Sequence, residues 1–248
     1  MRGPLGNWQS YRDGCCSQCK GKMMFFKKAE DDPSQLEKLI AEHRKNQSTN
    51  TLHQMLDLFP KVPMYYTSLS PEVGPDTFPY VNLNFRRGNE NRTTLKNIAV
   101  KALDEGFGVT INKSGDQADW VFSLGDFISL ARGGILVSND WNTGFQSKKI
   151  EKDTQVQVGA PNEDIIPLSV RKHLRRFMVE TLRFPDPRFY LMFNPQDNPP
   201  WTIMFNISRK DFRSEDEYRN VLSYLSWFFP KTVFTGNIEN DKNQFYEI

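Results

Sequence analysis

Helical and strand-like periodicities alternate along this chain, and that alternation constrains its fold more than any single motif does. From Thr93 to Glu105 apolar residues recur at helical spacing (Leu95, Ile98, Ala99, Leu103), and Gly106 stops the pattern. The short apolar runs "FGVTIN" (107–112) and "DWVFS" (119–123) follow on either side of the turn "SGDQA". A second cycle begins with "VQVGAPNEDIIP" (156–167), a strand and a turn, and continues into the amphipathic helix "LSVRKHLRRFMVETL" (168–182), with Leu168, Leu174, Phe177, Met178 and Leu182 on its apolar side. The apolar runs "DPRFYLMFNP" (186–195) and "WTIMFNIS" (201–208), joined by "QDNPP", precede the helix "SEDEYRNVLSYLSWFF" (214–229), in which Ser214 and Glu217 have capping-box spacing. Pro230 ends that helix, and "TVFTG" and "QFYEI" suit closing strands. This order predicts an α/β (α+β) fold of two small mixed-sheet domains with helices packed on them, over residues 24–145 and 146–248. The charged, turn-rich stretch 139–155 is the natural linker.

Ahead of the first cycle, "SQLEKLIAEHRKN" (34–46) opens with Ser34 and Glu37 at capping-box spacing and puts Leu36, Leu39, Ile40 and His43 on one stripe. Leu52, Met55, Leu56 and Phe59 continue the helical pattern until Pro60 and Pro63 force an extended path. The Pro and Gly cluster "SPEVGPDTFP" is a loop, and "YVNLNF" (80–85) an alternating strand.

Residues 1–23 fit neither period. They read as a disordered leader or a misplaced start, because Lys20, Gly21 and Lys22 call for purine-rich codons of ribosome-binding type just before Met23 and Met24. All three cysteines (Cys15, Cys16, Cys19) lie there, and one Cys-x-x-Cys cannot close a tetrahedral zinc site. Without Met1 to Lys22 the formal net charge falls from +2 to −1, so the basic balance is no nucleic-acid signal. No apolar run is long enough to span a bilayer and no secretory signal is present, which points to a cytoplasmic protein with no membrane association.

The stretch Gly115 to Trp141 is dense in residues that enzymes use. Its aspartates Asp119, Asp126 and Asp140 nevertheless fall at a strand edge, a helix cap and a loop. Ser123 or Asp126 can cap a short helix that Gly133 and Gly134 end, with "ILVS" as the next strand. The expectation is architecture: Trp120, Phe122, Phe127, Ile128 and Ile135 buried, and Gly133 at positive φ.

The three histidines, His43, His53 and His173, sit on separate helices without a ligand partner at i+4. No nucleophile elbow, phosphate loop or dinucleotide fingerprint occurs, and "FPDPRFYLMF" lacks the Glu-x-Lys that a metal-dependent nuclease needs. These readings favour a binding protein over an enzyme, with no cofactor and no metal. Candidate contacts are the basic helix face Arg171, Lys172, Arg175 and Arg176 and the aromatic residues beside loops, Tyr66, Tyr80, Trp141 and Trp201. A solvated face and ordinary core closure are the plain alternatives. The basic face suits an acidic protein partner better than nucleic acid, which calls for interleaved aromatic residues or a larger charge excess.

Three segments carry a resemblance to the bacterial SseB-like family, named for enhanced serine sensitivity. "SQLEKLIAEHRKNQSTNTLHQMLDLFPKVPMY" is similar to its helical opening, "FISLARGGILVSN" to the end of its first domain, and "VQVGAPNEDIIPLSVRKHLRRFM" through "DPRFYLMFNPQDNPPWTIMFNIS" to its carboxy-terminal domain. The segments "SPEVGPDTFPYVNLNF", "ADWVFS" and "SEDEYRNVLSYLSWFF" depart from that pattern. The resemblance implies a cytoplasmic, non-enzymatic accessory protein and supplies no catalytic residue. Immunity proteins that cap a toxin are small α/β modules of the same kind and form an alternative. A nucleic-acid-binding module using helix 168–183 is another.

Overall fold

The computed structural model describes residues 32–86, 91–136, 156–197, 200–237 and 245–248. The leader, Trp141, the expected strand at 137–138 and the boundary near residue 146 lie outside these.

The fold opens with two helices, α1 (Pro33–Asn46) and α2 (Thr49–Leu58). Asp32, not Ser34, caps α1: its carboxylate takes the Ser34 N–H at 2.9 Å, which places Pro33 at the first helical position, where its missing N–H costs nothing. The buried stripe of Leu36 and Ile40 from α1 meets Leu52, Met55, Leu56 and Phe59. Strand β1 (Met64–Tyr66) then runs antiparallel to β4 (Asn91–Thr93).

Each half of the chain builds one βαβ crossover. In the first, β3 (Pro79–Leu83) pairs in parallel with β5 (Gly108–Ile111), joined through β4 and α3 (Leu95–Glu105). Two antiparallel edges, β2 (Glu72–Val73) and β6 (Trp120–Phe122), complete the sheet β2-β3-β5-β6. Helix α4 (Leu124–Gly133) follows directly.

In the second half, β7 (Gln157–Gly159) leads to α5 (Leu168–Arg176), which runs on into a π-helical turn at Phe177–Thr181. Strands β8 (Arg188–Phe193) and β9 (Trp201–Phe205) form an antiparallel hairpin. Helix α6 (Glu215–Ser226) crosses to β10 (Val233–Asn237), parallel to β9, and both β7 and β11 (Tyr246–Glu247) border β8. The α/β class is therefore as the periodicity predicts.

Residues 31–248 group as one compact unit, and buried side chains from α1 through Phe229 form one continuous core. Phe78 stacks on Trp227 at 4.3 Å with the rings 3° from parallel, joining the turn before β3 to the turn after α6. Within the stretch 115–136, Phe122, Phe127 and Ile128 are buried and Trp120 is half-buried against the core. Ile135 is 49% exposed, because the chain leaves α4 without forming a strand at that position. The helix stop is Gly134, at φ 69°; Gly133 still belongs to the helix.

Candidate functional site

Helix α5 begins at Leu168, directly after Pro167, whose extended backbone (φ −55°, ψ 148°) is its N-cap. Ahead of it, the Asn162 side chain accepts the Ile165 N–H at 2.9 Å and closes the turn. The helix buries Val170 and Leu174, and Met178 prolongs the same face into the π turn. Two polar side chains fix its setting. The Arg171 guanidinium is drawn inward: it donates from Nε to the Ile166 carbonyl at 3.0 Å and from an Nη to the Pro161 carbonyl, and it lies over the Phe189 ring at 5.8 Å. Burial holds its pKa below the usual arginine value, partly offset by Glu163. His173 reaches α3 through a 2.9 Å contact between Nε2 and the Asp104 carbonyl. That approach needs Gly106, since a Cβ there would lie 2.5 Å from His173 Nδ1, and the same glycine ends α3 at φ 77°.

The opposite face is different. Lys172, Arg175 and Arg176 are exposed, and among the described residues none forms an ion pair. Some cations elsewhere settle on the protein's own carboxylates, as in Arg44 with Asp119 at 2.8 Å, Arg188 with Asp186 at 3.0 Å and Arg209 with Glu215 at 2.8 Å. Leu168, expected on the apolar side, is instead 51% exposed. Its spacing of four and seven residues from Lys172 and Arg175 puts it on their stripe, which is the signal that could have located it.

The structure thus brings together Lys172, Arg175 and Arg176 and removes Arg171 from the group as a half-buried structural donor. The aromatic candidates do not converge. Tyr80 is 7% exposed and corrects the expectation of a surface anchor: its hydroxyl donates to Asp76 Oδ2 at 2.6 Å and accepts the Trp227 Nε1–H at 2.9 Å. Tyr66 on β1 is half-buried against the core, and Trp201 on β9 packs on Phe193 at 4.6 Å and is also half-buried. Tyr224 on α6, not singled out from sequence, is an aromatic side chain with an exposed flank; it meets Phe177 at 6.5 Å.

The aspartates of the 115–136 stretch have separate local tasks. Asp119 accepts from Arg44 and from Asn112 Nδ2, both at 2.8 Å. Asp126, 3% exposed, accepts the Ser123 N–H at 2.8 Å and its hydroxyl at 3.0 Å, with Lys231 Nζ at 3.4 Å. Among the described residues no cluster of three or more His, Cys, Asp or Glu side chains could hold a metal, and no helix is long and apolar enough to cross a membrane. Comparison of the chain with protein-family models, with curated proteins and with solved structures gives no match.

Proposed function

We propose that this chain is a non-enzymatic, cytoplasmic accessory protein of the SseB-like kind, working without a cofactor by binding another protein. The observation that carries the reading is the face of α5. Lys172, Arg175 and Arg176 stand exposed, without a carboxylate partner among the described residues, on a helix whose setting is fixed by Arg171 and His173. Charged side chains presented from a fixed backbone give up less freedom when a partner arrives, which favours recognition.

Affinity capture of the full chain from its native host, with quantitative mass spectrometry, tests this. The expected result is one reproducible stoichiometric protein. Turnover of a metabolite by the purified chain, surviving a control for contaminants and with no protein captured, would overturn the reading. A co-encoded toxin as the captured protein, neutralised by the chain, would make the accessory role one of immunity.

A further inference from the structure

We infer that the partner is engaged along one stripe of α5, Leu168, Lys172, Arg175 and Arg176, and that the docking element is an acidic protein segment with an apolar anchor. This rests on the protein-binding reading and narrows it to a site and a partner chemistry.

Charge is the first support. Three cations within five residues form no ion pair with a carboxylate among the described residues, whereas other cations close on nearby acids, as Arg209 does on Glu215 at 2.8 Å. Cations at a helix C-terminus gain from the helix dipole, but the π turn Phe177–Thr181 carries the helix on past Arg175 and Arg176, so little of that gain reaches them. That gain does not extend to Lys172 in the middle of the helix. It explains nothing about Leu168, whose side chain stands in water one turn before Lys172.

Size and composition select the occupant. Residues 168–176 cover about 12 Å of helix, enough for two or three carboxylates one helical turn apart. Nucleic-acid binding commonly draws on about six to ten phosphate contacts, more than this stripe offers, and no aromatic residue lies on the stripe to stack a base. A phosphate backbone also has nothing to cover Leu168, whereas a leucine or similar side chain from an acidic segment removes it from water.

The probe is a fluorescein-labelled synthetic peptide with Glu and Leu at helical spacing, titrated with the full chain by fluorescence anisotropy. Three comparators are used: the same peptide with Ser for Leu, a single-stranded oligonucleotide and phosphatidylserine vesicles. The Glu/Leu peptide is expected to bind most tightly. Lys172→Glu with Arg175→Glu should weaken it by about tenfold or more, and Leu168→Ser by several-fold, with thermal midpoints unchanged. The neutral pair Lys172→Gln and Arg176→Gln should fall between, which guards against a misfolded charge reversal. Undiminished binding by the charge-reversed chain, tighter binding of the oligonucleotide or vesicles, or no peptide binding at all would each overturn the inference. A protein captured from the host that stays on the charge-reversed chain would leave protein binding standing and remove α5 as its site.

Discussion

Gly125 lies so close to Phe229 that a Cβ on the glycine would fall 1.9 Å from the phenylalanine carbonyl oxygen. Its N–H also donates to the Trp227 carbonyl at 3.0 Å, so the first turn of α4 is seated on the turn that ends α6. No side-chain rearrangement relieves a clash with backbone. Gly125→Ala should therefore cost about 3 kcal/mol in urea denaturation. Gly133→Ala is the control, since its Cβ would meet only the Ile135 side chain at 3.4 Å and the backbone there is helical. That change should be neutral or stabilising by up to about 1 kcal/mol. Equal effects of the two substitutions would contradict the seating of α4.

Asp126 is the N3 residue of α4 and a nearly buried carboxylate. Asp126→Ala leaves the Ser123 N–H without its acceptor and removes the contact with Lys231 Nζ, a loss of about 2 kcal/mol. Asp126→Asn keeps one acceptor oxygen but gives up the ion pair, and is expected to cost about half as much. Thermal melts of both variants beside partner capture check this. Lost binding in Asp126→Asn with an unchanged melt would mark the carboxylate as a site.

Arg171 and Lys172 are neighbours in sequence with opposite tasks, and substitutions should separate them. Lysine cannot serve two diverging carbonyls as the planar guanidinium does, so Arg171→Lys should lower stability by about 1 to 2 kcal/mol. Lys172→Gln should leave stability within about 0.5 kcal/mol. Chemical denaturation of the two single variants decides it, and a silent Arg171→Lys would show that the two carbonyl contacts contribute little.

Much of the fold was legible because its signals are local. The stripes of Leu36 and Ile40, of Ile98 and Leu103, and of Val221 and Leu225 are buried as helical spacing predicts. Helix limits were readable to within a residue or two: Asp32 replaced Ser34 as the cap because Pro33 serves best at the first helical position, and Gly134 replaced Gly133 as the stop. What local sequence could not show was closure over distance. Tyr80 looked like a loop-side aromatic, and only the arrival of Trp227 from 147 residues away makes it a core side chain. Arg171 sits on the border of the helical wheel, and the carbonyls of Pro161 and Ile166 draw it inward. The cationic stripe was visible in sequence, but its lack of carboxylate partners among the described residues was not.

Thr77 has φ 71° in the turn between β2 and β3, an unusual position for a β-branched side chain. Glycine relieves that strain of about 1 to 2 kcal/mol while adding freedom to the unfolded chain. The balance favours the folded state, and Thr77→Gly should raise stability by about 0.5 to 1 kcal/mol. A lower thermal midpoint in the variant would mean that the threonine side chain makes a compensating contact.

Tyr80 should give the protein an alkaline limit of known sign. Burial, reinforced by the hydrogen bond to the Asp76 carboxylate, pushes its phenol well above the ordinary tyrosine value, so the folded state keeps the proton. The unfolded chain releases it near pH ~10. Below that pH both states hold the proton and the contribution to stability is constant. Above it the unfolded state binds fewer protons, so stability falls as pH rises. Tyr80→Phe removes this proton linkage. It also leaves the Trp227 Nε1–H without an acceptor, a loss of about 1 to 3 kcal/mol near neutral pH. Urea midpoints for wild type and variant should therefore be well apart at neutral pH and converge above pH ~10. Curves that stay parallel across that range would show that the buried phenol ionises as readily in the folded protein as in the unfolded chain.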